Sequence, residues 1–147
     1  MKKLGVYEKV CNAIENSEYD AIVSVGSDNV LYLSGAALPF LYSYPDRPVI
    51  VLWPKNGVTT CICPVEWEST IRNMSWIEKV SAYTEGADSL KPAVKTLAEE
   101  IKGLVEKGKK IGLDLNRISN ALFKELKNTL SGVELVDCSG WLKTLRM

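Results

Sequence analysis

The sequence predicts an α/β domain in which helices cover both faces of a mixed sheet. Short apolar runs, typical of buried strands, alternate along the chain with longer segments whose apolar residues recur every three or four positions. Strands that are joined by helices favour this layered arrangement. The chain has 147 residues, which is close to the usual size of one domain. We therefore predict a single domain over residues 1–147.

Local patterns near the N-terminus predict a helix, a strand and a short helical turn. One helical face carries apolar side chains spaced by three or four: Leu4, Tyr7, Val10, Cys11 and Ile14. This helix ends near Ser17, and the apolar run at residues 20–25 then predicts a buried strand. A single helical turn is predicted next from three apolar residues: Val30, Leu31 and Leu33. It begins at a cap, Ser27 or Asp28, and Gly35 ends it.

The middle of the chain combines a loop with further strands. Residues 36–47 contain Pro39 and Pro45 without any apolar periodicity, which predicts a loop. The aromatic residues of this loop are Phe40, Tyr42 and Tyr44. Two strands, a helix and a third strand are predicted in turn at 49–53, 58–63, 65–74 and around Val80. Trp67 and Ile71 share the apolar face of that helix.

The last third of the chain has the clearest helical periodicity. Its first apolar face consists of Leu90, Val94, Leu97, Ile101 and then Leu104 or Val105. Asp88 or Ser89 can cap this helix, and a strand follows at 111–113. The next helix directs four residues inward: Ile118, Leu122, Leu126 and Leu130. A strand at 133–136 and a short helix at 139–145 complete the alternation.

The composition excludes several classes of function. The chain contains no histidine, which removes a Ser-His-Asp triad and a histidine-ligated zinc site together. Its 18 Lys and Arg balance its 18 Asp and Glu, so no strong field attracts nucleic acid or an anionic membrane surface. Neither a glycine-rich phosphate loop nor a Gly-x-Ser-x-Gly nucleophile motif occurs. Catalysis by this chain alone is not expected.

The expected compartment is the cytoplasm, because charged residues interrupt any N-terminal apolar region and no membrane span is predicted. The four cysteines fit a reducing compartment, since they are scattered without a Cys-x-x-Cys pair. Cys61 and Cys63 lie on one face of a predicted strand and could hold a soft metal ion. We favour packing as their role.

Several segments, in this order, resemble one family. The string NVLYLSG at residues 29–35, the strand and turn VSAYTEG at 80–86 and KIGLD at 110–114 are followed by VELVDCSG and WLKTLR at 133–146. This ordered set resembles the N-terminal domain of the creatinase, prolidase and aminopeptidase P family. The resemblance implies a sheet of about six strands with a ribonuclease H-like topology, and a strand count of six is compatible with the runs seen here.

The resemblance also implies what surrounds this domain. In the family, a catalytic domain follows the segment that matches residues 141–146, and it binds two divalent metal ions (Mn, Co or Zn) through two Asp, one His and two Glu. We predict that this domain is absent after Met147 and that the chain itself has no catalytic residue, metal ligand or cofactor. The implied partners are the missing catalytic domain, a second subunit in a homodimer, and a proline-containing peptide substrate.

Three residues are candidates for a lid over that catalytic pocket: Asn29, Tyr32 and Tyr42. Together with Asp28 and the aromatic loop, they are expected at one edge of the sheet. Asn29 is equally compatible with a helix cap, and Tyr32 with a half-buried core ring. These structural roles are the more common ones, and we favour them. Asp114 is compatible with either a turn or a subunit contact.

The function predicted from the resemblance is that of a non-catalytic domain of an Xaa-Pro dipeptidase or aminopeptidase, supplying subunit contacts and a lid. Two alternatives stay open: the N-terminal domain of a creatinase-like amidinohydrolase, and a stand-alone binding or assembly module. The isolated domain is expected to be monomeric or weakly dimeric. An exposed apolar patch is expected where the catalytic domain would dock, formed by Trp141, Leu142 and Leu145.

Overall fold

The computed structural model describes residues 5–38, 47–84, 90–103 and 109–147. Within them, the helices are α1 (Gly5–Glu15), α2 (Ser27–Ser34), α3 (Glu68–Met74), α4 (Leu90–Lys102), α5 (Asn120–Thr129) and α6 (Ser139–Arg146). The strands are β1 (Ala21–Ser24), β2 (Ile50–Pro54), β3 (Thr60–Pro64), β4 (Lys79–Tyr83), β5 (Lys110–Leu113) and β6 (Glu134–Asp137). Every predicted strand is therefore present, with shifts of one or two residues at its ends.

The six strands form one mixed sheet in the order β4-β3-β2-β1-β5-β6. β1, β5 and β6 pair in parallel, and so do β3 and β4, whereas β2 is antiparallel to both of its neighbours. Five strands therefore run in one direction and β2 runs against them. This arrangement confirms the predicted fold class.

Helices cover both faces of the sheet, as predicted. One face packs against α1, α2, α3 and α6, through buried residues such as Ile14, Leu33 and Leu142. The opposite face packs against α4 and α5, through buried residues such as Leu97 and Leu126. Strand residues alternate between the two sides because successive side chains of a strand point in opposite directions, so Ile22 belongs to the first core and Val23 to the second.

Helix α2 is longer than the single turn predicted, and it ends where predicted. Gly35 has φ +79°, a left-handed conformation that other residues rarely adopt, and its N–H donates to the Leu31 carbonyl. A Cβ at this position would lie 2.6 Å from the ring of Trp76. That ring also donates its Nε1–H to the Leu33 carbonyl at 3.0 Å. The glycine thus lets the indole close over the end of α2.

One predicted detail of the helix starts is wrong. Neither Ser27 nor Asp28 caps α2, because the cap position is taken by Gly26, whose φ of +93° redirects the chain one residue earlier. The helix predicted at 65–74 is present over those residues, with a first 3₁₀ turn (Val65–Trp67) that continues into α3. By contrast, Ser119 caps α5 in the usual way, accepting a hydrogen bond from the Leu122 N–H at 3.1 Å.

The apolar patch predicted on the last helix is also wrong. Leu142 and Leu145 are buried in the core beneath α6, with relative exposures of 0% and 7%. Trp141 is half-buried, and its ring packs edge-on against that of Tyr19 with the centroids 5.7 Å apart. The apolar side of this amphipathic helix is therefore used by the domain itself.

Some predictions concern residues outside the described ranges. They are the predicted contribution of Leu4 to α1, the aromatic loop residues Phe40, Tyr42 and Tyr44, the caps Asp88 and Ser89, and the apolar positions Leu104 and Val105. Of the helices in the described parts of the chain, none is long and apolar enough to cross a membrane.

Candidate functional site

Polar side chains meet at one edge of the sheet, where the parallel strands β1, β5 and β6 end. Because parallel strands place their carboxyl ends at the same edge, the segments that follow them lie side by side, and this is where open α/β sheets usually bind ligands. We call this group the carboxyl-end cluster, and it consists of Asp28, Asn29, Asp114, Arg117, Asp137, Ser139 and Arg146.

Asn29 lies at the centre of the carboxyl-end cluster. It belongs to the first turn of α2 and is 1% exposed. Its Nδ2 donates to Asp114 Oδ2 at 2.6 Å, and its Oδ1 accepts from Nη1 of Arg146. The amide therefore joins the start of α2 to the end of β5 and to the end of α6. The interpretation of Asn29 as a helix cap is wrong, since its side chain bonds to other elements.

Asp114 receives hydrogen bonds on both carboxylate oxygens. Oδ2 accepts from Asn29, and Oδ1 accepts from the Ser139 hydroxyl at 2.8 Å and from the Asn116 N–H at 3.1 Å. The hydrogen bond from Asn116 stabilises a local turn, which is one of the two roles predicted for Asp114. With an exposure of only 4%, the side chain is not accessible to a second subunit. Asp114 therefore acts inside the domain.

Ser139, the first residue of α6, contacts two carboxylates. Its Oγ lies 2.8 Å from Asp114 Oδ1 and 2.6 Å from Asp137 Oδ1, and its single hydroxyl hydrogen can be donated to only one of them at a time. Hydrogen bonds from the hydroxyl and the N–H of Ser139 lower the pKa of Asp137. Cys138 lies in the sequence between Asp137 and Ser139. Burial raises the pKa of its thiol to about 12, and the charges of Asp114 and Asp137 raise it further.

Asp28 holds two arginines that come from different elements. Arg117, in the β5–α5 connection, donates from Nε at 2.9 Å, and Arg146 Nη1 lies 3.3 Å from Asp28 Oδ2. Burial alone would raise the pKa of Asp28, but the hydrogen bonds from Arg117 and the Asn29 N–H, and the charges of both arginines, hold it below its usual range. The carboxylate is thus ionised and paired at neutral pH.

Tyr32 contacts the last helix from the same side as Asn29. Its hydroxyl donates to the Leu145 carbonyl at 3.0 Å, and its ring packs against the core beneath α1, α2 and α6. The prediction of a half-buried ring is confirmed. Two of the three lid candidates, Asn29 and Tyr32, therefore lie on α2 and both contact α6. The third, Tyr42, lies outside the described residues.

A small open cavity of about 240 Å³ lies against the carboxyl-end cluster. It is lined by Asp114, Asn116, Arg117, Ser139, Lys143 and Arg146. The lining has three basic side chains and one carboxylate, and two of the basic side chains, Arg117 and Arg146, pair with Asp28. The hydroxyl of Ser139 lies between the carboxylates of Asp114 and Asp137. Within the described ranges, no three His, Cys, Asp or Glu side chains are placed to hold a metal ion. This arrangement joins segments that are distant along the chain.

Two of the cysteines, Cys61 and Cys63, lie in the core rather than at this edge. Cys61 and Cys63 are both buried on β3, beneath the α1, α2, α3 and α6 face. Burial raises the pKa of Cys61 well above its usual range and that of Cys63 to about 12. Both thiols are therefore protonated at neutral pH, which suits packing.

Sequence reasoning missed four partners in the carboxyl-end cluster: Arg117, Asp137, Ser139 and Arg146. A signal for the first three was present, because polar residues lie at or after the end of each parallel strand and those ends share one edge. Arg146 has no such signal. It lies 117 residues from Asn29 along the chain, and only the packing of α6 brings them together.

The fold and the cluster define a mixed α/β domain whose edge groups are paired with one another. The chain belongs to the creatinase/prolidase N-terminal domain family, whose model matches residues 7–147. This finding confirms the resemblance seen in the sequence motifs. Among curated proteins, no match is found.

Solved structures agree with this assignment at the level of the fold. The chain is similar to a prolidase from Thermococcus sibiricus (TM-score 0.76, 17% identity) and to an X-Pro aminopeptidase from Thermotoga maritima (TM-score 0.75, 17% identity). The matches cover 98% and 96% of this chain but only 37% and 35% of those proteins. A Creatine_N superfamily domain of a dipeptidase from Streptococcus thermophilus matches over its full length (TM-score 0.73, 10% identity), covering 98% of this chain.

Proposed function

We propose that this chain is the non-catalytic N-terminal domain of a metal-dependent Xaa-Pro dipeptidase or aminopeptidase. The observation that carries the proposal is the family match over residues 7–147, combined with likeness to a prolidase and an X-Pro aminopeptidase of which the chain spans about a third. The remaining length of such a protein would contain the catalytic domain. The same proposal places the protein in the cytoplasm, where its four free cysteines would stay reduced.

The two divalent metal ions implied for such an enzyme, Mn, Co or Zn, do not fit the residues of this chain. A ligand set of two Asp, one His and two Glu cannot be assembled here, because the chain contains no histidine. The acidic side chains of the carboxyl-end cluster are already engaged by arginine, asparagine and serine. We therefore assign metal binding and peptide hydrolysis to the catalytic domain.

The contribution proposed for this domain is a lid over the catalytic pocket together with subunit contacts in a homodimer. Asn29 and Tyr32 bond within the domain, so we assign direct contact with the peptide to Tyr42 in the aromatic loop. In the longer protein, Tyr42→Ala is expected to raise KM for a proline-containing peptide. Tyr7→Ala is the control and should leave KM unchanged, because Tyr7 is a residue of α1 whose ring packs on Trp53 inside the domain.

The test is hydrolysis of an Xaa-Pro dipeptide with added manganese or cobalt. This chain is compared with the product of the same gene expressed to its natural stop codon. We expect activity only in the longer product, and light scattering should show a dimer for it and a monomer or weak dimer for this chain. Activity in this chain alone would contradict the proposal. Activity in neither would favour creatinase-like chemistry or a binding module.

A further inference from the structure

The last helix is attached to the domain by polar contacts at its C-terminal end. Tyr32 donates to the carbonyl of Leu145, and Arg146 donates to both Asp28 and Asn29. The three partners of Leu145 and Arg146 named here belong to one helix, α2, which lies more than a hundred residues earlier in the chain. Two consecutive residues at the end of α6 are therefore fixed against one rigid element.

The partners on α2 are themselves held in place. Asn29 is bonded to the buried Asp114, and Asp28 is bonded to Arg117 of the β5–α5 connection. Hydrogen bonds that involve a charged group and are partly shielded from water are stronger than exposed ones, and a network with several members limits the motion of each. Arg146 is 26% exposed on its side chain, compared with 43% for Arg117. The end of α6 thus has a defined direction relative to the sheet.

We propose that Asp28, Asn29, Tyr32 and Arg146 are positioning residues that set the orientation of this domain relative to the catalytic domain. The inference rests on the proposed function, in which the polypeptide continues beyond α6 into that domain. The contacts act on the last turn of α6, which is the point from which the two domains would diverge. A change in the direction of this turn would move the lid without altering the groups that perform hydrolysis.

This assignment differs from the lid role predicted for Asn29 and Tyr32. Asn29 is 1% exposed, so its substitution can affect a peptide only indirectly, through α6. The expected kinetic signature follows from that distinction. Loss of positioning weakens substrate binding, while the reaction of bound substrate is retained.

The test uses the longer gene product and two pairs of matched variants. Arg146→Gln removes both contacts to α2, and Lys79→Gln removes an ion pair with Glu100 at the far side of the sheet, where the two atoms are 2.9 Å apart. Tyr32→Phe removes the bond to Leu145, and Tyr83→Phe removes a similar bond to the Pro48 carbonyl at 2.7 Å. In each pair, the control variant loses the same kind of interaction as the test variant, but at a site that does not contact α6.

For an Xaa-Pro dipeptide, we expect Arg146→Gln to raise KM about fivefold and Tyr32→Phe about twofold, with kcat nearly unchanged. The two control variants should behave as wild type. Arg146→Lys should recover most of the loss, because one nitrogen of Arg146, Nη1, makes both contacts. Thermal melting of each variant shows that the protein is folded, and Tyr32→Phe keeps the test valid if Arg146→Gln does not fold.

The outcomes separate this inference from the proposed function. If the wild-type longer protein does not hydrolyse Xaa-Pro dipeptides, the proposed function fails and the positioning role fails with it. If it is active and KM is unchanged in Arg146→Gln and Tyr32→Phe, only the positioning role is overturned. An equal change in KM for the control variants would also overturn it, because the effect would then follow from reduced stability in general.

Discussion

The two faces of the sheet are stabilised in different ways. Beneath α4 and α5 the core is built from aliphatic side chains, and helix-to-sheet polar contacts among the described residues centre on Glu100, which accepts from Lys79 and Ser81. Beneath α1, α2, α3 and α6 a similar core is supplemented by buried hydrogen bonds between distant segments, such as Asn29 to Asp114. Apolar burial therefore dominates on one face, and on the other it is supplemented by buried directional contacts.

This difference explains what each face can do. Aliphatic packing is non-directional and tolerates small shifts, provided that volume is conserved. Hydrogen-bond networks fix particular geometries and lose much of their value when one member is removed. The face with α2 and α6 is therefore the one on which an exact placement of the chain can be specified.

The largest effect is expected on the aliphatic face. Leu97→Ala removes a fully buried side chain of α4 and should lower the free energy of unfolding by about 3 kcal/mol, because it leaves a cavity. Urea denaturation measures the change. Leu31→Ala is the matched control, since Leu31 is 48% exposed on α2. A loss in Leu31→Ala as large as that in Leu97→Ala would contradict the assignment of the core.

A smaller loss is expected when the central amide of the polar face is removed. Asn29→Ala leaves Asp114 Oδ2 without its donor in a buried site, and we expect a loss of about 2 kcal/mol in urea denaturation. Asn128→Ala, at an exposed position near the end of α5, should change stability very little. Equal behaviour of the two variants would show that the carboxyl-end cluster contributes nothing to stability.

Tyrosine hydroxyls offer a direct comparison of the two faces. Tyr32→Phe and Tyr83→Phe each remove a hydrogen bond to a carbonyl and should each cost about 1 kcal/mol in thermal or urea unfolding. Hydrogen exchange should distinguish them, because only Tyr32→Phe is expected to speed the exchange of α6 amides. Faster exchange of α6 in Tyr83→Phe would contradict the division into two faces.

The smallest expected effect is on acid stability. The pKa of Asp28 is lower in the folded state than in the unfolded chain, so its contribution is present above the unfolded pKa and is lost as pH falls through the folded pKa. The pKa of Glu100 is lowered as well, by Lys79 and Ser81 acting against burial. We therefore expect the urea concentration at the unfolding midpoint to decrease as the pH is lowered below about 4. This decrease should be less steep in Asp28→Asn and in Glu100→Gln. If the midpoint depended on pH in the same way in wild type and in both variants, neither carboxylate would be the source of the acid sensitivity.

How much could be predicted from the sequence also differs between the faces. The α4 stripe that includes Val94, Leu97 and Ile101 follows the helical period, so its burial was predictable from residues a few positions apart. The bond between Asn29 and Asp114 spans 85 residues, and no local pattern carries it. The sequence showed that polar residues follow the parallel strands, but it did not show which of them would pair.

The error at the last helix has the same origin. An apolar face on α6 was predicted correctly, but Leu142 and Leu145 were assigned to an outside partner when the domain core itself receives them. Amphipathic periodicity tells which residues are to be covered without telling what covers them. The lid role of Tyr42 stays a prediction, because that residue lies outside the described ranges.

Native-state hydrogen exchange of α6 in wild type and in Arg146→Gln tests most directly whether polar contacts hold this helix. The Leu142 N–H, which donates to the Cys138 carbonyl at 2.9 Å, reports on α6, and the N–H of Leu97 reports on α4. We expect exchange at Leu142 to be about tenfold faster in the variant, with exchange at Leu97 unchanged. Equal exchange at Leu142 in both proteins, or equal acceleration at both amides, would contradict it.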